Sequence, residues 1–362
     1  MDTKKTCLYD KHVEMGALMS PFAGFDMPIQ YTNIVDEHQA VRNACGVFDV
    51  SHMGEVLVTG PDAERYINHI FTNDVKDIPN GKILYGMMCY ENGGVVDDLL
   101  VYKMGENNFF IVINAANIDK DVAWMNQQIQ GFNVSLMHLS DYYGQLAVQG
   151  PESEKVMETV LNLACKELVF YTCKTLGVNG ETIIVSRTGY TGEDGFEIYG
   201  SHDFIREAWG KLVAAGVKPC GLGCRDTLRF EVGLPLYGDE LSADISPIMA
   251  GLGFFVKLDK EEFIGKEALI KQKTEGVDYK LVGIELADKA IPRHGYAVLK
   301  DGEQVGEVTT GYHAISVDKS VCMALVKTEY AKLDTELEIQ IRKKTFPGKV
   351  VKKKFYEKHY KK

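Results

Sequence analysis

The stretch Arg187-Thr-Gly-Tyr-Thr-Gly-Glu-Asp-Gly-Phe-Glu-Ile-Tyr199 limits the folds open to this 362-residue chain more than any other. It follows an apolar run, Ile183-Ile-Val185, and ends in an alternating one, Phe196-Glu-Ile-Tyr199. Glycines between two such runs predict a strand, a tight loop and a second strand. The two-residue period of a strand puts Phe196 and Ile198 on one face, with Glu197 and Tyr199 on the other. One face suits a core, and the opposite one sets a carboxylate beside an aromatic ring. That pairing suits a flat heterocycle with amine donors, a pterin or a purine; a hairpin with a polar outer face fits the same pattern.

Elsewhere strands and helices mix. Pro61 to Ile70 carries apolar residues at helical spacing with Pro near its start, so an amphipathic helix is expected there. Asn108 to Ile113 reads as a buried strand, and Asp121 to Gln130 as a helix closed by Gly131. Ser201 is placed to cap a helix that Gly216 ends. From about Lys280 the texture changes to short β-rich runs, Leu281–Leu286, Tyr296–Leu299, Glu307–Thr310, Val321–Val326 and Leu337–Ile341. The turn Lys300-Asp-Gly-Glu303 favours a type I′ hairpin. This spacing predicts a small all-β barrel or sandwich. The fold class is therefore α+β. A larger part spans residues 1–265, a Lys/Glu-rich boundary follows, and a β unit spans 280–362.

Composition excludes several function classes. The net charge of −11 argues against a general nucleic-acid binder. No apolar run nears the ~20 residues of a membrane span. The start, Met1-Asp-Thr-Lys-Lys, lacks the patterns of secretory and transit peptides, so a cytoplasmic chain or a processed form is expected. The eight cysteines are scattered, with Cys220 and Cys224 the one close pair and no zinc set around them, so reduced thiols and no metal are expected. No strand–GxGxxG–helix unit opens the chain, which argues against a nicotinamide or flavin dinucleotide fold. The tail carries Lys343, Lys344, Lys349, Lys352, Lys353, Lys354, Lys358, Lys361 and Lys362, either a docking patch or a solvated strand end.

Two segments bring charge into apolar surroundings. Gly221 to Gly233 reads as a helix on which Leu222, Arg225, Leu228, Arg229 and Val232 share one arc. An unpaired guanidinium there is costly, so Arg225 needs a carboxylate, with Glu197 the natural neighbour, or the carbonyl of a ligand. In Asn92-Gly-Gly-Val-Val-Asp-Asp-Leu-Leu-Val-Tyr102, a tight turn precedes an apolar strand broken by Asp97 and Asp98. Adjacent strand residues point to opposite faces, so at least one carboxylate enters a core or a cleft. A raised pKa there suits proton transfer, and capping of the turn is the structural alternative. His52, in Ser51-His-Met-Gly54, has no triad partners and reads as structural.

At these same residues the sequence resembles the aminomethyltransferase family, the T-proteins of the glycine cleavage system. Ser51-His-Met-Gly-Glu55, Thr72-Asn-Asp74, Gly93-Gly94 through Asp97-Asp98-Leu99, Asn114-Ala-Ala-Asn117, Gln149-Gly-Pro151, Gly189 through Gly195, Arg225-Asp-Thr-Leu-Arg229 and Gly233 through Gly238 follow in family order. The resemblance implies a three-lobed cloverleaf. Two discontinuous lobes, one of them ferredoxin-like, form the folate-binding part, and a barrel is the third. Tetrahydrofolate would fill the central opening. By motif position Asp98 matches the catalytic carboxylate and Glu197 with Arg225 the pterin-binding pair. Tyr360 matches a tail tyrosine, and Asn114, Tyr190, Met53 and Tyr85 complete the implied folate contacts. The implied reaction moves a one-carbon unit from the aminomethyl-dihydrolipoyl arm of the carrier H-protein to tetrahydrofolate, releasing ammonia. Two alternatives share the fold. A folate-dependent demethylase would carry a flavin domain. A non-catalytic accessory protein would carry a Lys-Gly-Cys-Tyr-type signature where this chain has Phe230-Glu-Val-Gly-Leu.

Overall fold

The strand–loop–strand unit lies inside a six-stranded sheet. The computed structural model describes residues 3–361; Met1, Asp2 and Lys362 lie outside the described residues. Strands Glu181–Ser186 and Gly195–Gly200 pair antiparallel, with Val185 opposite Ile198 and Ser186 opposite Glu197. Phe196 and Ile198 face a core shared with Ile205, Trp209 and Leu212. Those three come from helix His202–Ala214, whose first turn Ser201 caps by accepting from the Phe204 amide. The sheet runs Cys173–Val178, Glu181–Ser186, Gly195–Gly200, Gly144–Gln149, Gly46–Asp49 and Lys218–Pro219, and its last pair alone is parallel.

Between Gly46–Asp49 and Gly144–Gln149 the chain leaves to build a second sheet. Its order is Ile83–Cys89, Val95–Gly105, Asn108–Ile113, Gly54–Thr59 and Ser135–His138, all antiparallel, in the ferredoxin-like manner. Helices Ala63–Ile70 and Ile118–Gln127 pack against it through Tyr66, Ile67, Trp124 and Met125. Both sheets follow one plan: strand, helix, three strands, helix, strand. Each first helix is entered through a Gly-Pro pair, and Gly60 and Gly150 share nearly the same φ, +127° and +129°. The duplication is thus visible in the backbone. Helix packing faces outward; between the sheets Ile83, Tyr102, Phe110, Ile184 and Tyr199 form an apolar seam.

The two sheets also join edge to edge. Lys82 and Thr172 form an antiparallel bridge. The Ile83 amide donates to the Tyr171 carbonyl at 3.0 Å, and the Cys173 amide donates to the Gly81 carbonyl at 2.7 Å.

The third lobe is a closed barrel, ordered Tyr279–Leu286, Lys319–Lys327, Glu303–Ala314, Ala297–Lys300, Glu336–Ile341 and Lys344–Val351. Asp301 and Gly302 take positive φ, as a type I′ turn requires. The sixth strand is not among the expected β runs. Pro347 and Gly348 within it weaken the strand pattern, yet it closes the barrel by pairing with both Tyr279–Leu286 and Glu336–Ile341. The helix expected over Asp121–Gln130 begins earlier and ends at Gln127, because the chain turns through single hydrogen bonds before Gly131. Pro61 stands just outside its helix, which begins at Ala63.

Buried ion pairs fasten the lobes together. Arg42 meets Glu193 at 3.0 Å and Glu231 at 3.1 Å within the larger part, and reaches the barrel by donating to the Ser316 hydroxyl at 3.1 Å. Arg229, fully buried, meets Glu240 at 2.7 Å and Asp226 at 2.7 Å, and Glu240 accepts from Thr309 and Thr310 of the barrel. Beyond the barrel the tail lies across the first lobe. The Phe355 and Tyr356 amides donate to the Glu231 carbonyl, and the His359 amide to that of Gly192. Lys353 is turned inward to the Ala250 carbonyl, and Lys361 pairs with Glu154. Lys353 is therefore structural rather than part of a free basic patch, whereas Lys361 forms an exposed surface pair. Replacing Arg229 by Met should leave Glu240 buried without its counter-charge and cost about 3–5 kcal/mol in chemical denaturation. A loss under about 1 kcal/mol would mean that the joint rests on packing alone.

Candidate functional site

The Gly-rich loop is shaped by what fills it. The Gln149 side chain lies beneath, donating to the Thr188 carbonyl at 3.0 Å and accepting from the Thr191 hydroxyl at 2.9 Å. A Cβ on Gly189 would stand 2.0 Å from Gln149 Oε1, so a larger residue there would push the Gln149 amide out of its hydrogen bonds. Buried Arg187 closes the loop base through Asp194 and Glu154, both within 2.9 Å. Glu197 is thereby fixed. It accepts from the Thr188 hydroxyl at 2.5 Å and from Gln145 Nε2 at 3.0 Å. Burial pushes its pKa up, and the Thr188 bond and the Arg225 charge oppose that.

Arg225 stands where the helical pattern puts it, on helix Leu222–Glu231. An ion pair with Glu197, one of the two partners the sequence leaves open for it, does not form. The guanidinium lies over the Tyr190 ring at 4.5 Å, and among the described residues no carboxylate reaches it. Its exposure is intermediate, and desolvation lowers its pKa. The buried, paired arginine of this helix is Arg229, one turn on. Tyr190 is anchored through its hydroxyl to the Pro235 carbonyl.

The Asp pair divides as the strand period requires. Asp97 is fully buried on strand Val95–Gly105, while Asp98 remains partly open. Asp98 accepts from the Tyr85 hydroxyl at 2.9 Å and from Asn114 Nδ2 at 2.9 Å. Burial first, and the Asp97 charge second, push its pKa up to about 7. Asp97 accepts from the Asn114 amide, from Asn114 Nδ2 and from Asn117 Nδ2.

Tyr171 links these two ends, and sequence reasoning missed it. It holds φ +62°, a left-handed conformation that costs an L-residue roughly 1–2 kcal/mol. Its amide donates to the Arg187 carbonyl and its carbonyl accepts from the Ile83 amide, so the sheet junction keeps it there. Tyr360, Glu197 and Asp98 all lie close enough to add charge to the rise that burial causes in its pKa. Tyr360 itself stacks on Phe170, with ring centroids 4.0 Å apart and planes at 14°. Met53 is a floor residue, packed against both Leu228 and Tyr102 clusters. His52 is 1% exposed, edge-on to Phe22, and burial lowers its pKa to about 4, so it is a neutral wall residue. Gln145 and Gln149, two polar residues in the buried strand Gly144–Gln149, are the signal that could have pointed here. Nothing in Phe170-Tyr171-Thr172 announces a positive φ.

Fold and site together define a three-lobed protein. It gathers aromatic side chains with an unpaired guanidinium and a carboxylate on one side and a carboxyl of raised pKa on the other. The chain matches the GCVT N-terminal domain over residues 8–260 and the glycine cleavage T-protein C-terminal barrel domain over residues 280–357. It is 49% identical over 361 residues to an aminomethyltransferase of Lysinibacillus sphaericus (strain C3-41), covering 98% of each chain. Against one of Alkaliphilus oremlandii (strain OhILAs) it is 48% identical over 366 residues, covering 100% of both. The crystal structure of glycine cleavage system aminomethyltransferase T from Bartonella henselae superposes with TM-score 0.95 at 31% identity, covering 100% of both chains. The chain belongs to the glycine cleavage T-protein family.

Because no carboxylate pairs with Arg225, Arg225→Met should cost no more than about 1 kcal/mol of unfolding free energy, the worth of its contact with Tyr190. A loss several times larger, measured by denaturant titration, would show that the guanidinium holds the fold together.

Proposed function

We infer that the chain is the aminomethyltransferase of the glycine cleavage system, and that tetrahydrofolate is its acceptor and the lipoylated H-protein its donor. Family membership over the whole chain supports the activity. The observation that carries the residue assignment is the contrast between the two ends of the site. One end holds a cation without a partner beside a fixed carboxylate. The other holds a carboxyl poised to change charge near neutral pH.

A pterin fits the first end. Its ring amines match Glu197, its carbonyl matches the unpaired Arg225, and Gln145 Oε1 is buried without a donor of its own. Tyr190 lies against Arg225 and Met53 is packed below, where they would flank the ring. Toward the tail, Tyr360 on Phe170 would form the wall along the rest of the molecule. Bound tetrahydrofolate supplies the nitrogen nucleophiles that accept the one-carbon unit. The protein's own work lies at Asp98. As a carboxylate it takes a proton from the attacking nitrogen or balances the positive charge that develops as an amine leaves. Tyr85 and Asn114 hold both of its oxygens, so its orientation is set before substrate arrives. Positioning of donor and acceptor supplies much of the rest.

A non-catalytic folate-binding role would need none of this at Asp98. Purified protein should release ammonia from aminomethyl-lipoylated carrier only when tetrahydrofolate is present; folate binding without ammonia release would favour the accessory role.

Asp98→Asn keeps the shape and most hydrogen bonds but not the basicity. It should lower kcat by roughly 10²–10⁴ while folate affinity holds. In the parent enzyme the single-turnover rate should fall as pH drops through about 7, because the active form is the ionised one. A rate that stays flat through that pH range, or a loss in Asp98→Asn below tenfold, would remove Asp98 from the chemistry. Glu197→Ala and Arg225→Ala should each weaken tetrahydrofolate binding by about 1.5–3 kcal/mol, checked by calorimetric titration.

A further inference from the structure

Asp121 belongs to the buried face behind Asp98, on helix Ile118–Gln127, and none of its surface is exposed. Neither of its oxygens makes a hydrogen bond in the structure. The nearest cation, Lys120 Nζ, is 3.5 Å away and opposes the rise in the Asp121 pKa, but it directs two of its three N–H groups to the Val96 carbonyl and the Tyr237 hydroxyl, with the Tyr237 ring 4.3 Å below it. Asp121 lies one helical turn after Asn117, whose Nδ2 donates to Asp97 at 2.7 Å, so the Asp121 carboxyl is on the side of the helix turned toward Asp97 and feels its charge.

Two ionised carboxylates so placed repel, so one of them holds a proton. The donors decide which. Asp97 accepts from Asn114 N at 2.9 Å, Asn114 Nδ2 at 2.9 Å and Asn117 Nδ2 at 2.7 Å, all of which favour its ionised form. Asp121 has only the Lys120 ammonium, at 3.5 Å and outside hydrogen-bond geometry. Burial, and then the charge on Asp97, push the Asp121 carboxyl up to about 11.

We propose that Asp121 is a positioning residue for Asp98: a neutral carboxylic acid whose O–H donates to Asp97, so that three clustered carboxyls carry two negative charges. The assignment rests on Asp98 acting as the carboxylate of the one-carbon transfer. The link to Asp98 is the Asn114 amide, whose nitrogen lies 2.9 Å from both Asp97 Oδ1 and Asp98 Oδ1. Sharing a proton spreads the charge of Asp97 over two side chains and weakens its push on Asp98. The groups that face Asp98 are Asp97 and the phenols of Tyr85, Tyr171, Tyr190 and Tyr237; those that face Asp121 are Asp97, Lys120 and Tyr237. Asp97 is the one anion among them, so the effect on Asp98 runs through it.

Two variants test this. Asp121→Ala removes the shared proton, and the three N–H donors keep Asp97 ionised. Its undiluted charge then falls on Asp98, and the acid limb of the single-turnover profile should move to higher pH by about 1 unit. Asp121→Asn supplies an amide donor in the same place and should keep the parental limb. An unmoved limb in Asp121→Ala overturns the proposal, as does an equal shift in Asp121→Asn. A second readout needs neither catalysis nor the Ala variant. At about pH 9, above the value of about 7 for Asp98 and below that of about 11 for Asp121, the infrared difference between parent and Asp121→Asn should contain a protonated-carboxyl stretch. Its absence shows Asp121 ionised and overturns the assignment whatever Asp98 does. Its presence together with an active Asp98→Asn variant retains the shared proton but rejects Asp98 as the group it serves, and so overturns the positioning role.

Discussion

The backbone pairing of Gly81–Ile83 with Tyr171–Cys173 is the contact on which the rest of the molecule depends. It joins two sheets of the same plan at their edges. Because each sheet also presents an apolar face to the other, the junction sets how Asp98 on one and Glu197 on the other look into a common space. The same hydrogen bonds force Tyr171 into a left-handed conformation that local sequence would not choose. Site geometry and sheet geometry are therefore one constraint. An edge strand left open would invite association with other chains; here each covers the other.

Charge is handled in two opposite ways within one molecule. At the lobe joints, Arg42 and Arg229 are surrounded by carboxylates and hydroxyls. At the site, Arg225 keeps its guanidinium free, and Asp98 and Glu197 have pKa values shifted upward by burial and form no ion pair. The first arrangement fixes lobes in place. The second keeps interaction energy available for a ligand, since an unmet group gains most from a partner that arrives later. Arg225 and Arg229 sit a single turn apart on one helix, so the division is drawn by surroundings rather than by residue type.

Much of this is legible in the residues. Alternation in Phe196–Tyr199 and in the Asp97–Asp98 strand tells which side chains face inward, and the helical arc places Arg225 correctly. The barrel announces itself through regular β runs and an Asp-Gly turn. Features that depend on contacts between distant segments are not legible. Of the two partners left open for Arg225, the Glu197 carboxylate does not reach it, because a sequence pattern does not fix the last few ångströms between a strand and a helix. The sixth barrel strand is obscured by Pro347, and Asp121 looks like an ordinary polar helix position because its partner lies on a strand far along the chain. The duplicated plan survives in φ angles at Gly60 and Gly150 and in element order, while the side chains have diverged.

The insertion of the second sheet between two neighbouring strands of the first bears on the order of assembly. Gly46–Asp49 pairs with Gly144–Gln149 although the whole ferredoxin-like lobe lies between them. Closing so long a loop is entropically unfavourable for a disordered chain. Inside that lobe, however, its first and last strands are neighbours, with Val56 opposite His138. Once folded, the lobe brings its own two ends side by side and delivers the flanking strands to each other as though a short connector joined them. Contacts remote in the chain become local in effect, and the slow search expected for a discontinuous sheet is replaced by two successive short ones.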